Sequence, residues 1–133
     1  MNKEHPNIAI VKRFDPKNID RAKDVLAGNA EFHFFNPLLP EIKGTYVGFE
    51  GFQDFFQKMG EICHSCFNVN PVSITAIGDE LVVVHSKNKM ILEDREMEID
   101  AVIVWRIVNG KISEVWDIPS IHPTKVRELK AVM

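Results

Sequence analysis

The chain has little that would suit it to nucleic acid, a membrane or a metal. Lys and Arg number 16 against 19 Asp and Glu, a net charge of -3, and no basic block interrupts that balance. Nucleic acid and anionic membrane surfaces are therefore not the expected partners. No apolar run reaches the roughly 20 residues that span a bilayer. The opening MNKEHPNIAIVKRFD has neither a long apolar stretch nor a cleavage-like site, so the reading is of a cytoplasmic protein without a leader. There are only two cysteines, Cys63 and Cys66 in ICHSCF. A CxxC can be a redox pair or half a zinc site. No second ligand pair follows at zinc-like spacing, and His64 lies between the thiols, not after them as haem attachment requires. Two small, partly buried thiols are expected. His33, His85 and Asp117 are too dispersed to converge on an ion, and His64 and His122 fall in turns or loops. No phosphate loop, dinucleotide fingerprint or nucleophile elbow appears, and TYVGFEGF has glycines without the spacing. The expectation is no metal and no cofactor.

What is present is a core. With 133 residues, 45% of them hydrophobic, the chain is long enough for one domain over 1–133 with a substantial interior. His5-Pro6 opens a first helix, with Pro in the favoured first turn and Ile8, Ile10, Val11 and Phe14 on its apolar side. Asp15-Pro16 restarts a helix that runs to about Ala27 on Ile19, Ala22, Val25 and Leu26, with Gly28 as terminator. Residues 30–36 alternate as a strand. PLLPEIKGTYVG reads as a Pro/Gly loop, apolar enough to pack over something. A third helix over about 49–63 carries Phe52, Phe55, Phe56 and Met59 on one side. From Phe67 the text is four strands, FNVNPVSITAI, LVVVHSKNKMIL, MEIDAVIVWRIV and KISEVWDI, joined by tight turns. The tail from Ser120 suggests loop and then a short helix. Helices first and a curved sheet after is an α+β pattern.

Register decides which side chains share a face. A two-residue loop at Asp94-Arg95 would set Glu93 opposite Glu96 and Lys89 opposite Asp100. It groups Val82, Val84, Ser86, Asn88 and Met90 with Met97, Ile99, Ala101, Ile103 and Trp105, and leaves His85, Lys87, Lys89, Glu96, Glu98 and Asp100 on the other side. The Asn109-Gly110 turn is open. Two residues would put Trp116 with Trp105. Three, with Gly in a bulge, would put Val115 and Asp117 there, Asp117 lying across from Ala101 and that from Asn88. The three-residue form is favoured. Val102, Val104 and Trp116 then share an apolar outer face, which predicts a homodimer through it.

Two stretches, FHFFNPLLPEIKGTYVGFEGFQDFF and VWRIVNGKISEVWD, carry a resemblance to the nuclear-transport-factor-2-like superfamily in its SnoaL-like polyketide cyclase branch. The resemblance covers Pro6 to Asp117. It implies a cone-shaped curved antiparallel/mixed sheet wrapped around three N-terminal helices, the cystatin-like α+β cone. SnoaL-like cyclases place an acid/base Asp on the last strand, where Asp117 falls. Limonene epoxide hydrolase is similar around FNPLLP and NGKISEVWD; its first-strand Asn matches Asn36 and its last-strand Asp matches Asp117. Its arginine and second aspartate fall at Ser86 and Asn88 here and its tyrosine at Phe34, so its water-activating set is incomplete. The ketosteroid isomerase positions fall near Phe34, Phe14 and Ile103 or Val104, none able to do that work.

The site expected on this basis has Asp117 as acid/base, with Asn88 and Asn36 as hydrogen-bonding partners. Phe32, Phe34, Phe55, Phe56, Met59 and Trp105 supply apolar walls, and Tyr46, Ser86, Ala101, Ile103 and Val115 complete the lining. The expected ligand is a small hydrophobic or cyclic metabolite, and the expected chemistry a cofactor-free cyclisation, isomerisation or hydrolysis. Two rival readings are a non-catalytic ligand-binding or accessory protein with the same cone, and a dimeric interaction module with a filled core.

Overall fold

The computed structural model describes residues 4–37, 39–62, 68–92, 94–122 and 125–128. Cys63, His64 and Cys66 lie outside them. The first helix, α1 (Pro6–Lys12), starts where Pro6 permits and His5 Nδ1 accepts from the Asn7 backbone N–H at 3.1 Å. The Asn7 side-chain amide donates to the Asp79 carbonyl at 2.9 Å, which ties α1 to a distant turn. Asp15 does not restart an α-helix. Its carboxylate accepts from the Lys17 N–H in a local turn, and the next element is a 3-10 helix, Ile19–Val25. Leu26, expected on that helix, begins strand β1 (Leu26–Phe34) instead, and Gly28 lies within the strand. Tertiary pairing outweighs helical spacing here, because Leu26 registers with Ile112 in the middle of the sheet.

The stretch expected as loop contains a short 3-10 turn, Pro40–Ile42, and strand β2 (Gly44–Val47), antiparallel to β1. Helix α2 (Gly48–Ile62) follows at once and buries Phe52, Phe55 and Met59 on its sheet side. A Cβ at Gly51 would stand 2.9 Å from the Tyr46 carbonyl carbon, so only glycine lets the helix fold back this closely on β2.

Strands β3 (Asn68–Ile77), β4 (Leu81–Leu92), β5 (Arg95–Val108) and β6 (Lys111–Pro119) form the expected meander. The sheet order is β2-β1-β6-β5-β4-β3, with β1 parallel to β6 and the other neighbours antiparallel. Of the tail expected to end in a helix, residues 125–128 are strand, and residues 123–124 and 129–133 lie outside the described residues. Strand β7 (Lys125–Glu128) pairs with residues 95–98 of β5 beyond the end of β6. Three helices, the middle one 3-10, thus sit in the concave side of a mixed sheet, the cystatin-like α+β arrangement. Their aromatic side chains meet Phe32, Val82, Ile99, Ile107, Ile112 and Val115 in one core.

Two registers differ from expectation. In the first hairpin Leu92 pairs with Arg95, and Lys87, not Lys89, faces Asp100. The slip is two residues, so every side chain keeps its face. In the second hairpin Asn109 and Gly110 form a two-residue turn, with φ 53 and 77 and Val108 paired to Lys111. Positive φ at both positions is what a type I′ turn requires. The ladder then shifts by one at a bulge, from Ile107 opposite Ile112 to Arg106 opposite Glu114. The extra residue, Ser113, donates its hydroxyl to the Arg106 carbonyl at 3.2 Å. The bulge restores the parity that the shorter turn removes, so Val115 and Asp117 share the face of Trp105 after all. Asp117 lies opposite Ile103, not Ala101, and Ala101 lies opposite Ser86.

Candidate functional site

Asp117 sits near the middle of the sheet, on β6, between Phe34 of β1 and Ile103 of β5. Its neighbours on the inner face are apolar, and among the described residues no hydrogen bond or ion pair reaches its carboxyl. Burial alone pushes its pKa from 3.8 to about 7. The cause is desolvation, which disfavours the carboxylate. The shift brings the acid toward the neutral range, the condition suited to accepting and returning protons.

Asn36, Ser86 and Asn88 are the other polar residues of the inner region, and all three are buried. Ser86 donates its hydroxyl to Asn88 Oδ1 at 2.9 Å, so these two engage each other on β4, two strands away from the acid. Asn36 lies two residues past Phe34, the β1 partner of Asp117, and its carbonyl accepts from the Leu39 N–H. Phe32, Phe34 and Phe55 form a closely packed core, with ring centroids 4.5 Å apart for Phe32–Phe55 and 4.9 Å for Phe34–Phe55. Tyr46 packs its ring on Phe55 and donates its hydroxyl to the Ile42 carbonyl at 2.6 Å. Ala101, Ile103, Trp105 and Val115 are buried on the inner face.

A cleft of about 440 Å³ opens between residues 16–20 and α2. Phe56 and Met59, both expected to line a pocket, form part of its wall, while Asp117, Asn88 and Asn36 do not line it. Lys17, Asn18, Asp20, Gln53 and Gln57 give it a polar rim that the sequence did not single out. Behind that wall the rings run inward: Phe56 meets Phe14 at 5.5 Å, and Phe14 meets Trp105 edge-on at 5.1 Å. Trp105 lies two residue pairs along the β5–β6 ladder from Asp117's partner Ile103, on the same face.

The outer face carries a separate polar network. His33 Nε2 is 2.7 Å from Glu114 and 3.5 Å from Glu31, and its Nδ1 is 3.0 Å from the Thr45 hydroxyl. Arg106 pairs with the other oxygen of Glu114. Glu31, His33 and Glu114 converge closely enough to hold a cation, though as they stand His33 and Arg106 engage the Glu114 carboxylate. Spacing gave no sign of this cluster, because β1 and β6 meet only through the parallel crossover. His85 points outward as expected and bonds Asp100 at 2.9 Å. Together with Lys87 it holds the Asp100 carboxyl below its ordinary pKa.

The fold and a family match together place the chain in the nuclear-transport-factor-2-like superfamily. It belongs within it to the SnoaL-like family: the model of the SnoaL-like domain matches residues 8–115. Solved structures agree in fold. TerC co-crystallized with polyporic acid superposes at a TM-score of 0.76 with 20% identity, over 87% of this chain and 92% of that one. Bal32a from a soil-derived mobile gene cassette gives 0.74 with 18% identity, over 86% and 88%. An NTF2-like protein of unknown function from Burkholderia pseudomallei gives 0.72 with 19% identity, over 86% and 90%. No curated protein matches the chain by sequence. Among the described residues no helix is long and apolar enough to cross a membrane.

Proposed function

We propose that this protein binds a small, largely apolar, ring-bearing metabolite in the concave side of its sheet and moves a proton on it through Asp117. One observation carries the reading: a carboxyl with no protein partner among the described residues, held near pKa 7 on a central strand. As carboxylate, Asp117 removes a proton from a carbon next to a carbonyl. The enolate then returns to neutrality by taking that proton at another atom, an isomerisation, or by closing a ring before protonation, a cyclisation. No cofactor is needed, because the electrons remain in the substrate. That a relative of the same fold was crystallised with polyporic acid supports a ring-bearing ligand of this kind. The cleft beside Phe56 and Met59, though not lined by Asp117, is the opening described nearest this aromatic cluster and supports entry from that side.

The test is solvent-deuterium exchange, followed by NMR, on a set of simple cyclic ketones, whose enolisable C–H exchanges only slowly near neutral pH without a catalyst. Exchange of the acidic C–H should rise through a pKa near 7 with wild-type protein and fall at least 100-fold with Asp117→Asn. Equal exchange by the two proteins sinks the reading. A second reading, a binder without chemistry, is favoured by the Ser86–Asn88 hydrogen bond, which leaves neither group committed to the acid. It predicts saturable binding with no exchange.

We further propose that two copies associate through the outer face. Val102 pairs across the strands with Ile118, and Val104 with Trp116. Val102 and Ile118 are 40% and 57% exposed, a wasteful arrangement in mid-sheet unless something covers it. Trp116 is stacked by His33 and overlaid by Arg106, so the strip is framed by charge as a protein interface is. Sedimentation at micromolar concentration should give a dimer, and a Val102→Asp/Ile118→Asp double variant should give a folded monomer. A monomeric wild type removes the proposal.

A further inference from the structure

Trp105 holds a donor that no acceptor among the described residues takes up. The residue is 7% exposed, and its indole Nε1 is buried with no acceptor among the described residues. Buried tryptophans ordinarily find a partner for this N–H, since leaving it bare forfeits the bonds it made to water. Trp105 stands on the inner face of β5, opposite Val115 of β6 and Val82 of β4. Asp117 follows Val115 by two residues on the same face of β6. The two side chains are therefore diagonal neighbours, on a lattice where such positions lie roughly 7–8 Å apart. One is a donor without an acceptor. The other is an acid without a donor. They do not bond to each other.

We propose that the Trp105 indole N–H is a ligand-binding donor, which holds a carbonyl oxygen of the substrate while Asp117 works on the adjacent carbon. The proposal rests on the reading of Asp117 given above and narrows its substrate class. An indole nitrogen only donates, so the ligand must present an acceptor there. A carbonyl, an enolate or a phenolate oxygen fits, and an ammonium does not. The chemistry also gives the donor a purpose. When the proton passes from carbon to the Asp117 carboxylate, the electron pair moves onto the carbonyl oxygen. A fixed N–H in apolar surroundings stabilises that charge more than it stabilises the neutral carbonyl. The rings of Phe56, Phe14 and Trp105 lie in contact between the cleft and this donor, surroundings that suit a flat ring stacked among them.

The experiment follows the Trp105 indole resonance of 15N-labelled full-length protein, with Trp105→Phe as the control that keeps a ring and removes the N–H. Polyporic acid or at least one of the cyclic ketones should move the indole proton downfield on saturation. Trp105→Phe should weaken that ligand's binding about 5- to 20-fold and slow the C–H exchange of the cyclic ketones about 10- to 100-fold, with the exchange profile still centred near the same pH. An indole resonance that no compound of the set moves overturns the proposal, and this readout does not depend on whether Trp105→Phe folds. Asp117 stands apart in the same data. If Asp117→Asn abolishes exchange while Trp105→Phe behaves as wild type, the acid's role survives and this inference does not. If the indole resonance moves but Asp117→Asn exchanges normally, the donor survives as a binding group and the proton-transfer reading does not.

Discussion

Asp117→Asn should raise the melting temperature at pH 8 and leave it unchanged at pH 3. The sign follows from linkage. In the unfolded chain this carboxyl ionises near 3.8, while in the folded protein it keeps its proton to about 7. Between those values the folded state binds more protons, so stability falls as pH rises through the interval and is constant above it. A displacement of this size corresponds to about 4 kcal/mol at 1.36 kcal/mol per pH unit. Asp117 is partly open to solvent, and water access reduces that to about 2 kcal/mol. Asparagine has nearly the same volume and never ionises, so the loss disappears. In thermal melts from pH 3 to pH 9 the variant should gain roughly 5–10 °C at the alkaline end. Parallel profiles for the two proteins would mean that the acid is not desolvated. Loss of proton exchange in the same variant would make this the stability–activity trade-off seen at functional sites.

Phe55→Ala should have the largest effect of opposite sign. Phe55 is 1% exposed, and its ring meets Phe32, Phe34, Tyr46 and Phe56 with centroids 4.5 to 5.2 Å away. Removing it deletes the transfer free energy of the ring and leaves a cavity between α2 and β1 that four large neighbours cannot fill. Such substitutions cost about 3–5 kcal/mol, a large share of the 5–15 kcal/mol that holds a typical domain together. Urea unfolding should show a midpoint lowered accordingly with little change in slope. Phe35 supplies the internal comparison. It is 65% exposed, and Phe35→Ala should stay within about 0.5 kcal/mol of wild type. A Phe55→Ala protein as stable as that one would show that the aromatic cluster is loosely packed and belongs to a pocket wall.

Much of this was legible in the residues. The alternation through residues 81–92 and 97–108 separated an apolar face from a charged one, and the structure keeps that separation. The segments FHFFNPLLPEIKGTYVGFEGFQDFF and NGKISEVWD pointed to the family that the SnoaL-like match then established. Elements failed where long-range pairing outweighed local spacing. Leu26 left its helix to join Ile112, residues 44–47 found β1, and residues 125–128 found a vacant stretch of β5. The cleft was not legible, since residues 16–20 and α2 come together only in three dimensions.

The sequence by itself determined which side chains of β4 and β5 point inward. Alternation has a period of two, and a register slip of two residues at the first hairpin left it intact. It also determined that an acid lies within the last apolar strand. The tertiary structure decided what faces that acid. Asn109-Gly110 made the short turn after all, and by itself that turn would have sent Asp117 outward. The Ser113 bulge turned it back. A bulge adds one residue and inverts parity from that point on, and it forms where two strands must both twist and pack. That balance belongs to the whole sheet and is written in no single stretch of the chain.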